Sequence, residues 1–205
     1  FEEPTDQLRR VVGGLRLENQ IRDYWGGITW SRTLGSGLSV GVSGYVAAFT
    51  ADRRSEVIVE GLDTSGMGLA IIDHRGYEFW HVRLLAKLGA WYRVASVDLG
   101  LSLTTPSLGL IGDGSTSGNA GIFGSPDSDG LEAAVYDGLD VDYRSPLSVG
   151  FGLAWAFGST RLHASCEWFD GLGPYTVADS PPLQSDDGLA PTAAVHEASA
   201  VLNWG

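Results

Sequence analysis

Strict alternation of side chains is the feature of this sequence that most constrains its fold. From position 80 to position 92, the even-numbered residues are Trp, Val, Leu, Ala, Leu, Ala and Tyr, and His81, Arg83 and Lys87 stand between them. A period of two puts successive side chains on opposite faces of a strand, whereas a helix requires a period of 3.6. The segment is therefore predicted to be a β-strand with one apolar face, and residues 147–157 show the same pattern.

Short turns join such strands in pairs, so that their apolar faces coincide. The turns are predicted at 35–37, 93–94 and 158–159. The second turn pairs Ala90 with Val97, and the third pairs Trp155 with Leu162. Glycine at the first and last positions of the first turn supplies the left-handed conformation that a three-residue hairpin loop requires. Three antiparallel hairpins are therefore expected.

Strand length, charge and aromatic positions favour a membrane barrel over a soluble sheet. The predicted strands have about 10–12 residues, close to the roughly 9–11 of a tilted transmembrane strand and above the soluble mode of about 5–6. Their apolar faces carry one charge, Arg32, which lies close enough to a turn to reach the headgroups. Aromatic residues near the ends of these faces are predicted to lie at the lipid interface: Tyr24, Trp30, Trp80, Tyr92, Trp155 and Trp168. The fold class predicted is an all-β, antiparallel transmembrane β-barrel of the outer-membrane type.

The connections are short at one end of the predicted barrel and long at the other. Long loops rich in Gly, Ser, Pro and Asp are expected at 50–76, 105–145 and 170–192, although residues 55–72 carry a weak strand pattern. This asymmetry is typical of transmembrane barrels, whose short turns are periplasmic. We expect residues 1–205 to form a single barrel domain or a portion of a larger barrel, because Gly205 stands where such proteins usually end on an aromatic residue.

Charged and polar side chains occupy the faces opposite the apolar ones. These residues are predicted to line the lumen: His81, Arg83, Lys87, Asp98, Arg161, His163 and Glu167. Lys87 is expected to lie diagonally across its hairpin from Asp98. Two interpretations stay open, because such a ladder either fills the interior of a small barrel or lines a charged, water-filled passage.

The sequence carries no catalytic signature, and no enzyme activity, metal site or cofactor is predicted. Nucleophile-elbow, phosphate-loop and zinc-protease motifs are missing from the sequence. His163 and Glu167 are four residues apart on a strand, roughly 13 Å, which is too far for direct proton transfer. The run Asp127-Ser128-Asp129-Gly130 resembles the start of a calcium loop, but Tyr136 stands where the closing glutamate is needed.

Composition narrows the remaining classes. A net charge of −12 argues against nucleic acid as a partner. The one cysteine, Cys166, excludes an internal disulfide framework, and its place on an apolar face indicates a small hydrophobic residue.

Three segments of the chain resemble outer-membrane transport proteins of the long-chain fatty acid and aromatic-hydrocarbon type. They are residues 23–49, 84–114 and 143–177, with a Thr-Thr-Pro-Ser strand exit at 104–107 and an Arg-Ser-Pro strand entry at 144–146. The resemblance implies a barrel of about fourteen strands, an N-terminal plug and passive uptake of hydrophobic molecules.

The side-chain patterning predicts a protein of the outer membrane of a Gram-negative-type cell (cell outer membrane), and the resemblance implies that it transports a hydrophobic small molecule passively. Two alternatives stay open: a non-transporting surface barrel that acts as an adhesin, an anchor or a subunit of an outer-membrane assembly, and a soluble lipid-binding β-barrel. The partners expected are outer-membrane lipids and lipopolysaccharide, a hydrophobic small-molecule ligand and other outer-membrane subunits.

Overall fold

The computed structural model describes residues 8–63, 68–124, 130–181 and 194–205. Strands account for 84% of these residues. No helix among them is long and apolar enough to cross a membrane. The strands are β1 (Leu8–Thr33), β2 (Leu38–Asp63), β3 (Gly68–Val94), β4 (Val97–Thr104), β5 (Leu108–Phe123), β6 (Gly130–Leu139), β7 (Ser148–Phe157), β8 (Thr160–Phe169), β9 (Leu172–Ala178), β10 (Ala194–Ala198) and β11 (Val201–Trp204).

Nine of these strands form one antiparallel sheet that curls into a half-barrel. Its order is β1-β2-β3-β4-β7-β8-β11, and every neighbouring pair is antiparallel. Strand β5 takes over from β4 as the neighbour of β3, and β6 pairs with β5. Strands β9 and β10 form a separate two-stranded sheet. The predicted all-β antiparallel class is confirmed.

Two of the three predicted turns are confirmed with their register. Residues 35–37 join β1 to β2, and Gly35 and Gly37 take positive φ values of 82° and 96°. The turn at 158–159 pairs Trp155 with Leu162 as expected. The local conformation of these two turns is therefore sufficient to specify which residues pair in their hairpins.

The middle turn was predicted two residues too early. It lies at 95–96, so that Ala90 pairs with Leu101 rather than with Val97, and Ala95 takes a φ of 53°. This register places Arg93 opposite Asp98, and their side chains form an ion pair at 2.6 Å. Because the slip is an even number of residues, the apolar faces still coincide.

Among the described residues, the first two of the three expected loops are largely strand. Strands β1, β2 and β3 have 26, 26 and 27 residues and run through most of 50–76, β5 and β6 occupy much of 105–145, and β9 begins the third segment. Polar side chains are compatible with strands when neighbouring strands satisfy the backbone.

The sheet has two faces and two ends that serve as a frame for the site. The inner face carries the buried side chains of Ala47, Phe49, Phe79 and Arg83, and the outer face is opposite. The turn end holds the three short turns. The extension runs away from the turn end; it begins at Arg22 of β1, Thr50 of β2 and Phe79 of β3 and includes their neighbours β5 and β6.

Candidate functional site

All six aromatic residues predicted at a lipid interface lie on the outer face and are exposed. Their exposed fractions range from 38% for Trp168 to 64% for Tyr24. Ile28, between two of them on β1, is 84% exposed. We call this outer surface, from the turn end to Tyr24, Ala48 and Trp80, the apolar band; its contact with lipid stays a prediction.

The apolar band ends abruptly at the extension. The next outward positions after Tyr24 and Ala48 are Arg22 and Thr50, which are neighbours of one another in the sheet. On β1 the band covers residues 24–34, which corresponds to about 36 Å along the strand. At a tilt of about 40° its height is about 28 Å, close to the roughly 25–30 Å of a hydrocarbon core.

The seven residues predicted to line the lumen all lie on the inner face, by the register of their strands. The structure brings Asp98 and Arg161 into an ion pair across β7. It does not bring Lys87 to Asp98, which corrects the predicted diagonal pair, because Arg93 lies directly opposite Asp98. Glu167 accepts a hydrogen bond from Ser148 Oγ at 2.9 Å.

Arg93 is an inner-face residue that the lumen prediction missed. It donates two hydrogen bonds to Asp98, at 2.6 and 3.2 Å, and its guanidinium lies 4.8 Å from the centre of the Trp91 ring. Arg93 was assigned to a turn, although its odd number placed it on the same face as Arg83 and Lys87.

A trough lies on the inner face near the turn end. Its volume is about 710 Å³. Small side chains line most of it: Ser39, Gly41, Gly89, Ser102, Gly150 and Ser165. Trp91, Phe151 and Trp204 add aromatic groups, and Glu167 adds one acidic group. The trough is therefore open and weakly charged.

Arg83 is the most deeply buried charge of the described residues, with an exposed fraction of 1%. Its Nη2 donates to the Asp23 carboxylate of β1 at 2.7 Å. Three aromatic rings surround the guanidinium, at 5.9 Å for Trp25, 5.5 Å for Phe49 and 5.1 Å for Tyr143. Its Nε and Nη1 atoms are buried without a hydrogen-bond partner.

A segment that crosses the inner face covers this charge. We call residues 140–145 together with β9 the strap. Val141 packs in one cluster with Phe49, Ala51 and Phe79 of the sheet. Tyr143 stacks on Phe49 with ring centres 3.9 Å apart and an angle of 9°. The strap therefore fills the inner face at the level where the outer apolar band ends.

The strap is held together by its own contacts. The Asp142 N–H donates to the Val177 carbonyl at 2.9 Å, and the Arg144 N–H donates to Tyr175 Oη at 3.0 Å. Burial raises the pKa of both Tyr143 and Tyr175. Sequence reasoning missed this element, although Val141 and Tyr143 alternate with Asp140, Asp142 and Arg144 in a short strand-like pattern.

The described residues hold no group of three or more His, Cys, Asp or Glu side chains placed to bind a metal ion. The calcium-like run falls at residues 127–130, of which 127–129 lie outside the described part of the chain. Cys166 is partly exposed on the outer face and unpaired within the described ranges.

Comparison of the chain with protein-family models, with curated proteins and with solved structures finds no match.

Proposed function

We propose that this chain is an outer-membrane β-barrel protein, or a portion of one, that allows passive transport of a hydrophobic small molecule. The observation that carries the proposal is the apolar band, which exposes Tyr24, Ile28 and Trp30 on one strand and ends at Arg22. Contiguous exposed apolar surface of this extent marks an interaction site, and a band of membrane height around a sheet fits lipid.

The two faces of the sheet support a membrane location over the soluble alternative. A soluble lipid-binding barrel would turn its Trp and Leu faces toward the interior. Here Trp155, Leu101 and Leu162 are exposed on the outer face, while the inner face buries Arg83 and Asp98. This distribution is the one expected when lipid, rather than water, surrounds the sheet.

Transport is supported by the trough and by the resemblance of three segments to hydrophobic-compound transporters. A volume of about 710 Å³ lies within the roughly 300–1,000 Å³ of small-molecule sites. The trough is lined by small side chains, which leave room for an apolar molecule to move along the inner face.

A non-transporting surface barrel is the second candidate, and the extension favours it. Residues 8–22 of β1 continue for about 50 Å along the strand beyond the apolar band. A paired sheet of this length would present a large rigid surface outside the lipid, as an adhesin or an assembly subunit requires.

Membrane fractionation followed by gel migration with and without boiling tests the location. A heat-modifiable band in the outer-membrane fraction is the expected result. Recovery of the protein in the aqueous fraction without detergent would overturn the membrane proposal. Uptake of a hydrophobic dye, N-phenylnaphthylamine, then separates the two membrane functions, since the surface barrel would leave dye entry at the level of cells without the protein.

A further inference from the structure

The strap lies between the trough and the extension. The trough reaches Gly41 on β2, and Phe49, which the strap covers, is eight residues further along the same strand. This spacing corresponds to about 26 Å. A molecule that moves along the inner face of β2 from the trough to the extension therefore meets the strap.

Side-chain packing, rather than a β-ladder, fastens the strap to the sheet. Strand β6 leaves β5 after Leu139, and β9 pairs with β10. Within the described ranges, two hydrogen bonds join the strap to the segment between β4 and β5. The Ser107 N–H donates to the Ser145 carbonyl at 3.1 Å, and the Ser145 N–H donates to Ser107 Oγ at 2.7 Å. An element held mainly by side chains opens at a lower free energy than a strand inside a ladder.

The closed arrangement leaves polar groups of the sheet unsatisfied. Arg83 Nε, Arg83 Nη1 and His81 Nδ1 are buried and have no hydrogen-bond partner. Buried polar atoms without partners are rare in folded proteins, and exposure to water would satisfy them. The strap therefore covers groups that gain hydrogen bonds when it moves away.

We propose that the strap is a gate, closed in this structure, whose displacement joins the trough to the extension side. In the closed arrangement the Arg83 guanidinium donates a hydrogen bond to Asp23 and lies against the ring of Tyr143 in the strap. This inference rests on the proposed transport function.

Thiol access tests gate opening without any transport measurement. In a Cys166→Ser background, Ala51→Cys places a thiol under the strap and Arg53→Cys places one two residues along the same strand, where the side chain is exposed. With a water-soluble maleimide and the protein in lipid vesicles, Ala51→Cys should react to completion, but its reaction rate should be at least about tenfold lower than that of Arg53→Cys. An unreactive Ala51→Cys beside a reactive Arg53→Cys would overturn the proposal.

A reversible cross-link tests whether the gate controls passage. A Cβ built on Gly114 lies 3.0 Å from Val141 Cγ2, so cysteines at both positions are close enough for a disulfide. Oxidised Gly114→Cys/Val141→Cys protein should pass N-phenylnaphthylamine at least about tenfold more slowly than the reduced protein. Dithiothreitol should restore passage, and the two single variants should not respond to oxidant.

Equal dye passage in the oxidised and reduced double variant would overturn the gate. If the parent protein passes no dye while Ala51→Cys still reacts, the proposed transport function is refuted, but the displacement of the strap is still supported.

Discussion

The apolar band and the extension are built from the same three strands and yet distribute their side chains in opposite ways. In the band, β1 turns Ile28 and Trp30 outward and Thr29 inward; in the extension it turns Arg22 outward and Ile21 inward. The pairing of β2 with β3 runs without a bulge from Leu38 to Leu62. The alternation therefore continues without a break, while the apolar side chains of β1 change from the outer face in the band to the inner face in the extension.

A charge on the outer face gives the largest expected difference between the two halves. Ile28→Arg should lower the free energy of unfolding in lipid vesicles by about 2–4 kcal/mol, because the new charge lies in the apolar band. Val12→Arg, also exposed on the outer face of β1 but in the extension, should change it by less than about 0.5 kcal/mol. Urea unfolding of both variants provides the measurement; equal small effects would show that the band does not meet lipid.

Removal of one carboxylate should lower the free energy of unfolding more on the inner face than on the outer face of the extension, although the difference should be smaller than that for the two arginine variants. Asp23→Asn leaves the buried guanidinium of Arg83 without its ion pair. Since the Asp23 side chain is 31% exposed, we expect a loss of about 1–3 kcal/mol rather than the roughly 3–5 of a fully buried pair.

The matched control for that variant is Asp52→Asn. Asp52 pairs with the exposed Arg54 on the outer face of the extension, where the loss should stay below about 0.5 kcal/mol. Equal losses for the two variants, measured by the same urea titration, would contradict the distinction between the buried ion pair of Arg83 on the inner face and the exposed ion pair of Arg54 on the outer face.

Alkaline pH should give the smallest effect, confined to the strap. Burial raises the pKa of Tyr143, so the folded state favours the neutral phenol. That contribution to stability is fully present below the ordinary tyrosine pKa of about 10 and is lost as the pH rises through the raised value. Phenolate absorbance should therefore rise late in the titration, and Tyr143→Phe should remove part of the late rise. An unchanged titration curve in the variant would be inconsistent with a buried Tyr143.

The contrast between the halves also explains which elements were predictable. From Leu147 to Phe157 one face is apolar throughout and the other is small, so that the period of two is unambiguous. In the extension, Asp52, Arg53 and Arg54 place charge on both faces of β2, and the local pattern is that of a solvated loop. Pairing with β1 and β3 makes this segment a strand, and pairing is a long-range property.

The turns also differed in how clearly the sequence indicated their conformation. Gly35 and Gly37 indicate positive φ in the sequence, whereas Ala95 adopts a positive φ that its residue type does not indicate.

Of the candidate site, the faces of the side chains were predictable, but their contacts were not. Alternation placed Arg83 and Asp98 on the inner face, but the contacts of Arg83 with Asp23 and Tyr143 join residues 60 positions apart in either direction, and these depend on the tertiary fold.

The order of the strands has a consequence for how such a wall can close. Five strands lie between β1 and β11 in the sheet order, and all neighbours are antiparallel, so these two edge strands run in the same direction. Joining them directly, or joining identical copies edge to edge, would create a parallel seam at each junction. A ring in which all neighbours are antiparallel instead needs an odd number of strands between β11 and β1. Whether that number is odd or even therefore decides whether the closed ring contains a parallel seam.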